Sequence, residues 1–185
     1  MQSALLKLTN YIFMGMGNKQ VNLLLQFDFS KAFDTILPSK LLAKLRDLGF
    51  FRSSFIWICS YLCNRSQCAF SKSTSSNYRK TNLGIPQGSV LCPLLFCLYV
   101  IDLQTVLGNR PIIRLLYADD FQVYITSPPE LLMNGFAIIT EAARLVANLA
   151  CRNSLTLNTS KTRAIFFGSL HTVVDTVHEF EFDRT

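Results

Sequence analysis

Long apolar stretches alternate with short polar ones, and the longest apolar runs have the length of strands. The run "VNLLLQFDF" (21–29) predicts a buried strand that ends near Asp28. Two further runs, "IIRLLYA" (112–118) and "FQVYIT" (121–126), are rich in β-branched and aromatic residues and predict two more strands. Only Asp119 and Asp120 separate them, so the pattern predicts a hairpin with both carboxylates on its turn.

Helical spacing of apolar residues dominates four other stretches. In "PSKLLAKLRDLGF" (38–50) the predicted buried stripe is Leu41, Leu42, Leu45 and Leu48, and Gly49 is a plausible stop. "SSFIWICSYL" (53–62) predicts a second, more buried helix, and "VLCPLLFCLYV" (90–100) predicts a core helix that begins between Ser89 and Pro93. Residues 130–152 predict a long helix whose buried stripe is Leu132, Phe136, Ile139, Ala143, Val146 and Ala150.

The remaining segments are short. "SKSTSSN" (71–77) predicts a polar loop, and "YRKTNLGIPQGS" (78–89) predicts a strand that enters a Gly/Pro turn. "SLTLN", "RAIFFG" and "HEFEFDRT" predict short extended segments near the end of the chain. With neither an internal repeat nor an interdomain linker, the pattern predicts one α+β domain.

Composition narrows the class of protein. The chain has 185 residues, half of them hydrophobic, which is enough for one domain with a core and excludes a disordered chain. Its net charge of +6 suits a polyanionic partner. The six cysteines have no zinc spacing, the N-terminus lacks a signal peptide, and the longest apolar run is shorter than the ~20 residues that span a bilayer. We therefore expect an intracellular protein, nuclear or cytoplasmic, that is not secreted and has no membrane partner.

Two adjacent aspartates on a turn admit two explanations. Aspartate is a common turn residue, so one of them needs no function. Two adjacent carboxylates disfavour each other's ionisation unless a cation relieves them, and a strand that ends at Asp28 would bring a third. Mg²⁺ prefers such oxygen ligands, and Mn²⁺ is the alternative ion. Because side chains alternate along a strand, we expect Asp119 to be a firmer ligand than Asp120.

Four blocks carry a resemblance to a known family. They are "FDFSKAFDT" (27–35), "GIPQGSVLCPLLFCLYVIDL" (84–103), "YADD" (117–120) and "NSLTLNTSKTRAIFFG" (153–168). In this order and at this spacing the chain closely resembles the reverse transcriptase domain of non-LTR (LINE-type) retrotransposons. The resemblance implies a polymerase palm, an antiparallel sheet backed by helices, with part of the fingers. It also implies an RNA template, a DNA primer and a dNTP as partners.

The resemblance also implies roles for individual residues. Asp28 and Asp119 match the metal-binding aspartates, Asp120 matches the second acid of the pair, and the carbonyl of Phe29 matches a further metal ligand. Lys161 matches a lysine that protonates the leaving pyrophosphate. Phe33 matches the steric gate that excludes a 2′-OH, and Gln87 and Gly88 of the PQG turn match positions that contact the incoming nucleotide. The residues that match the region in contact with the primer end are Phe166, Phe167 and Gly168.

Each of these residues also has a purely structural interpretation. Phe33 could be core, Gln87 could stabilise its own turn, Lys161 could be solvated, and one of Phe166 and Phe167 should be core because they alternate in face. Asp34 could cap or pair locally and is not counted as a ligand. Arg65 and Gln67, in "YLCNRSQ", fall in a block typical of these elements but receive no role.

The expected extent is a single partial reverse transcriptase domain, 1–185, with its palm core at about 21–168. The N-terminal fingers, the thumb and the endonuclease of the element's polyprotein are expected to be absent. One alternative is an inactive, element-derived fragment that at most binds nucleic acid. The other is a phosphatase that uses Asp28 as its nucleophile, which the first block alone would allow.

Overall fold

A computed structural model of the protein describes residues 2–168. Its helices are α1 (Gln2–Gly17), α2 (Pro38–Asp47), α3 (Arg52–Leu62), α4 (Cys92–Tyr99), α5 (Asp102–Val106) and α6 (Leu132–Arg152), with a 3₁₀ turn at Pro129–Leu131. Its strands are β1 (Val21–Phe27), β2 (Phe29–Ser30), β3 (Arg65–Gln67), β4 (Phe70–Ser71), β5 (Thr74–Ser75), β6 (Arg79–Thr81), β7 (Ile113–Tyr117), β8 (Asp120–Ser127), β9 (Thr156–Leu157) and β10 (Arg163–Phe167). The strand predicted for "HEFEFDRT" lies outside the described residues.

A four-stranded antiparallel sheet in the order β10-β1-β8-β7 is the centre of the molecule. The apolar run of β1 lies between β10 and β8, and Leu23, Leu25 and Phe27 on one of its faces are almost fully buried. The predicted stripe of α6 is buried against this same core. The α4 helix, with Pro93 in its first turn, contributes Leu95, Phe96 and Tyr99, so the predicted core helix is confirmed.

Helix α1 covers the other face of the sheet, and the sequence analysis missed it. Leu8 packs there with Leu24 and Tyr124. The helix approaches β1 closely at Gly15, where a Cβ would collide with the side-chain oxygen of Asn22. Asn22 is fully buried and lies 2.6 Å from the hydroxyl of Tyr124, so a larger residue at position 15 would break a buried polar contact.

Two burial predictions were wrong. In α3 only Ile58 and Leu62 are buried, whereas Ile56 is 67% and Trp57 55% exposed. Leu48, assigned to the stripe of α2, lies just beyond the end of that helix and is 43% exposed. An apolar helix is buried only where another element covers it, and α3, which packs against α2, buries only Ile58 and Leu62.

A thin two-stranded ribbon projects from the domain at residues 65–81. Strands β3 and β6 form its base, and β4 and β5 pair near its tip. The polar loop predicted at 71–77 is therefore partly strand. We call residues 65–81 the ribbon.

Candidate active site

A cavity of about 450 Å³ opens where β1 ends beside the β7–β8 turn. Six of the residues singled out from the sequence line it together: Asp28, Phe29, Phe33, Gln87, Asp119 and Lys161. The other lining residues are Ser30, Lys31, Ala32 and Asn158. Residues from four separate segments of the chain therefore meet at one place.

Asp28 is held through its backbone. Phe27, the last residue of β1, is paired with Phe121 on β8, so Asp28 follows directly at the edge where Asp120 begins its strand. Its N–H donates to the hydroxyl of Thr162 at 3.4 Å, and its carbonyl accepts from the N–H of Asn158 at 2.8 Å. The segment after β9 thus fixes the backbone that carries this carboxylate.

The predicted hairpin is confirmed, but the placement of both carboxylates on its turn was wrong, because Asp120 is already the first residue of β8. Tyr117 pairs with Asp120, which leaves Ala118 and Asp119 as the two turn residues. Ala118 has φ of +52°, a left-handed conformation that costs a non-glycine residue about 1 kcal/mol. Positive φ at the first central position is a feature of the primed turns, whose twist suits a hairpin. Strain of this kind is often found at functional sites.

The two adjacent aspartates have different surroundings. Asp119 lines the cavity, whereas Asp120, the first residue of β8, is exposed and is not among the lining residues. Partial desolvation raises the pKa of the Asp120 carboxyl, the charges of Asp119 and Asp28 raise it further, and a hydrogen bond from Gln26 opposes them. The charges of Asp119 and Asp28 therefore disfavour ionisation of Asp120, and a cation among the three side chains would relieve this.

The PQG turn packs directly against the segment that follows Asp28. The N–H of Gly84 donates to the carbonyl of Ile36 at 2.7 Å, and the N–H of Ile85 donates to the carbonyl of Phe33 at 2.9 Å. Gly84 has φ of +72°, and a Cβ there would lie 2.9 Å from the carbonyl oxygen of Phe33. Only glycine allows this approach, which brings Gln87 to the cavity.

Gln87 has a defined partner at the cavity edge, since its Nε2 donates to Oδ1 of Asp34 at 2.8 Å. Asp34, which the sequence suggested could pair locally, therefore orients Gln87. Gly88 has φ of +78° but does not line the cavity, so its assignment to nucleotide binding stays a prediction.

Phe33 belongs both to the core and to the cavity wall. Its ring meets that of Phe96 edge-on, with 5.2 Å between centroids, and the residue also lines the cavity. This position fits both the core interpretation and the steric-gate interpretation of Phe33.

Phe166, Phe167 and Gly168 do not reach the cavity. The Phe166 ring lies 5.5 Å from that of Phe136 on the core side, whereas Phe167 packs on the α1 side. Phe167 is paired with Asn22, roughly 15–20 Å along β1 from Asp28 at ~3.4 Å per residue. Their contact with a primer stays a prediction.

Two residues at the cavity escaped the sequence analysis, and a third, behind it, was singled out there without a role. Lys31 and Asn158 line it, and Lys31 has φ of +49°. Arg65 lies behind the PQG turn, where its guanidinium donates to the carbonyls of Leu62, Leu83 and Gly84. The sequence shows that turns occur in these segments, but it does not show which residues of the folded chain their backbone contacts.

The oxygen atoms at the cavity suit a metal ion whose coordination is completed by a substrate. Among residues 2–168, no group of three or more His, Cys, Asp or Glu side chains is placed to hold a metal. Asp28 and Asp119 nevertheless face one cavity, and Mg²⁺ commonly takes one or two carboxylates plus phosphate oxygens and water. The site therefore fits such an ion better than a metal held by protein alone.

Two further observations concern the whole described chain. All six cysteines are free thiols. No helix within residues 2–168 is long and apolar enough to cross a membrane.

Comparison with known proteins gives concordant matches. A family model described as reverse transcriptase (RNA-dependent DNA polymerase) matches residues 7–182. Over 127 residues the chain is 28% identical to a Drosophila melanogaster protein described as a probable RNA-directed DNA polymerase from transposon BS. That match covers 65% of this chain and 14% of the relative.

The solved structures that match include telomerases. Apo telomerase from Candida tropicalis, truncated from its C-terminal domain, superimposes with a TM-score of 0.63 at 14% identity, over 88% of this chain and 35% of that one. Telomerase of the same organism, in complex with a fragment of telomeric RNA, gives a TM-score of 0.55 at 15% identity, over 89% and 29%. At such identity the likeness shows the fold, and the predicted α+β polymerase palm is confirmed. The chain spans about a seventh of the curated relative and about a third of the telomerase chain.

Proposed function

Because this chain belongs to the reverse transcriptase (RNA-dependent DNA polymerase) family, we propose that it carries the polymerase centre of a LINE-type mobile element. The reaction joins a primer 3′-OH to the α-phosphate of a dNTP opposite an RNA template. A new P–O bond forms at the 3′ oxygen, the bond between the α- and β-phosphates breaks, and pyrophosphate leaves. One observation carries the proposal: Asp28, just after β1, and Asp119, in the β7–β8 turn, line one cavity with Phe33, Gln87 and Lys161.

Mg²⁺, or Mn²⁺ in its place, would be held by the carboxylates of Asp28 and Asp119, with Asp120 and the carbonyl of Phe29 nearby. Such ions, when bound, stabilise the attacking and leaving oxygens of phosphoryl transfer. The raised pKa of Asp120 supports this assignment, because the charges of Asp119 and Asp28 contribute to it and a bound cation would offset them.

The other lining residues have the chemistry to bind and select the nucleotide. Lys31 and Lys161 are exposed cations at the cavity, suited to the charge of a triphosphate. Lys161 would give its proton to the leaving pyrophosphate. The Phe33 ring would exclude a 2′-OH, and Gln87, oriented by Asp34, would contact the incoming nucleotide. Phe166, Phe167 and Gly168 would contact the primer away from the cavity.

Primer extension on poly(rA)/oligo(dT) with Mg²⁺ tests the proposal. Positioning and surrounding cations supply much of the catalysis in phosphoryl transfer. We expect the 185-residue chain to extend poorly and a longer chain, carrying the further parts of such relatives, to extend well. In that longer chain Asp119→Asn should abolish extension, whereas Asp47→Asn, at the exposed end of α2, should not. Extension that survives Asp119→Asn would contradict the proposal.

The second candidate is an inactive, element-derived fragment that at most binds nucleic acid. Binding of template–primer without extension, in the longer chain as well, would support it. The phosphatase alternative is rejected by the family match, which includes the PQG and YADD blocks.

A further inference from the structure

The ribbon is exposed on both faces. Every residue from 69 to 80 is exposed, and only Arg65, Cys68 and Thr81 are half-buried. Antiparallel pairing of its strands links Gln67 to Arg79 and Arg65 to Thr81. A two-stranded ribbon without a covering layer is only marginally stable in water. A partner that covers this ribbon would therefore stabilise it.

The charge of the ribbon identifies the class of partner. No acidic residue occurs between Asp47 and Asp102, and the ribbon carries four cations: Arg65, Lys72, Arg79 and Lys80. Arg65 is engaged with main-chain carbonyls. Within the described chain, the side chains of Lys72, Arg79 and Lys80 have no ion pair or hydrogen bond. These three cations are available to a polyanion.

Two aromatic rings stand beside these cations. Phe70 is 77% and Tyr78 75% exposed, and neither ring stacks on another ring within residues 2–168. Exposed rings next to cations are typical of surfaces that bind single strands, where unpaired bases stack on the rings and phosphates meet the cations. The bases of a duplex are already stacked on one another, so such rings favour a single strand.

The ribbon is also joined to the cavity. Arg65, in β3, donates to the carbonyls of Leu83 and Gly84, at the start of the turn that carries Gln87 to the cavity. The base of the ribbon is thus tied to the turn that lines the cavity.

We propose that the ribbon is a docking surface for single-stranded nucleic acid, with Lys72, Arg79 and Lys80 on phosphates and Phe70 and Tyr78 on bases. This deepens the proposed function, since it names the surface that would hold the template, but binding here needs no chemistry at the cavity. Nucleic-acid binding by the ribbon and polymerase activity at the cavity can therefore be refuted independently.

Binding of a labelled oligo(rU) to the 185-residue chain, followed by fluorescence anisotropy without divalent ions, tests the assignment. An oligonucleotide of about 20 nucleotides exceeds the ~4–16 nucleotides of typical single-strand sites. The triple variant Lys72→Gln/Arg79→Gln/Lys80→Gln should lower the slope of log K against log salt by about 2, at ~0.7 per phosphate contact. Tyr78→Ala should weaken binding by at least about 5-fold.

A charge-matched control is available. Lys7→Gln/Lys19→Gln/Arg152→Gln removes three exposed cations from α1, its following turn and the end of α6. Binding with an unchanged slope in this control supports the ribbon. Equal losses in both triple variants, or no loss in the ribbon variant, would overturn the proposal.

Chemical footprinting covers the case in which the ribbon variant does not fold. In the unaltered chain, oligo(rU) should protect Lys72 and Lys80 from acetylation and leave Lys7 and Lys19 reactive. Equal protection of all four lysines would refute the assignment. So would ribbon-dependent binding of phosphatidylserine vesicles by a chain that ignores oligo(rU), since the surface would then serve a membrane.

Discussion

Replacing Arg65 with methionine should loosen the PQG turn. The Arg65 guanidinium donates to the carbonyl of Leu62 at the end of α3 and to those of Leu83 and Gly84 before the turn. Methionine has a similar length and no donor, so Arg65→Met removes all three bonds while keeping most of the apolar stem. The carbonyl of Gly84 would then be left half-buried without its partner.

The expected loss of stability follows from these bonds. Two are part-buried, at about 1.5 kcal/mol each for a charged donor, and the exposed one adds about 0.5 kcal/mol. Ordering the arginine side chain costs about 1.5–2 kcal/mol of rotamer entropy, which the methionine variant would largely recover. The net loss in the free energy of unfolding is therefore about 1.5–2 kcal/mol. Arg65→Lys should retain less than half of the stabilisation, because one ammonium cannot reach both sides.

Urea unfolding measures this loss, and hydrogen exchange locates it. The amides of Gly84 and Ile85, bonded to the carbonyls of Ile36 and Phe33, should exchange faster in Arg65→Met. Arg79→Met on the same ribbon is the matched control, since the Arg79 side chain has no partner in the described structure and its loss should change stability by less than about 0.5 kcal/mol. Equal effects of the two substitutions, or unchanged exchange at Gly84, would refute the role given to Arg65.

Three further predictions concern the cavity, its turn and the α1 face. In a chain that extends primers, Phe33→Ala should relax discrimination against NTPs and largely spare dNTP use; unchanged discrimination would leave Phe33 as a core residue. Ala118→Gly should raise the free energy of unfolding by about 0.5 kcal/mol in urea, because relief of the positive φ exceeds the added backbone entropy; a loss of stability would show that the turn stores no strain. Burial raises the pKa of Tyr124 to about 12, whereas the pKa of tyrosine in the unfolded chain is about 10. The free energy of unfolding should therefore fall as the pH rises from about 10 towards 12, and Tyr124→Phe should remove that part of the fall. Parallel pH profiles of the two proteins would contradict this.

The sequence pattern predicted those helices and strands in which buried apolar residues recur at a regular spacing or form a continuous run. Strand β1, the β7–β8 hairpin and helix α6 each have a continuous run or a stripe that one core covers. Helix α1 escaped because its apolar residues are not confined to one face: Leu5, Leu6 and Phe13 are all exposed. The burial of α3 was wrong for a related reason, since composition does not show which neighbour covers a helix.

Only those residues of the candidate site that belong to a recognisable sequence motif could be predicted. Asp28, Phe33, Gln87, Asp119 and Lys161 each belong to a recognisable block, and the structure gathers them at one cavity. The Arg65 side chain donates to carbonyls up to 19 residues away, and the backbone N–H of Asn158 donates to the carbonyl of Asp28. Neither role depends on a local sequence pattern. Contacts of this kind arise from the tertiary fold and leave no periodic signal in the sequence.

The strand order β10-β1-β8-β7 also has a consequence for biosynthesis. The last strand of the described chain lies beside the first, and the N–H of Asp28 is bonded to Thr162, 134 residues later. A ribosome must therefore release almost the whole segment before the cavity can close, and such distant pairing is slow to form. Until β10 arrives, the apolar β1 presents an open edge, which is a template for aggregation. A variant that lacks residues 163–168 should therefore leave the edge of β1 unpaired and aggregate more readily than the 185-residue chain.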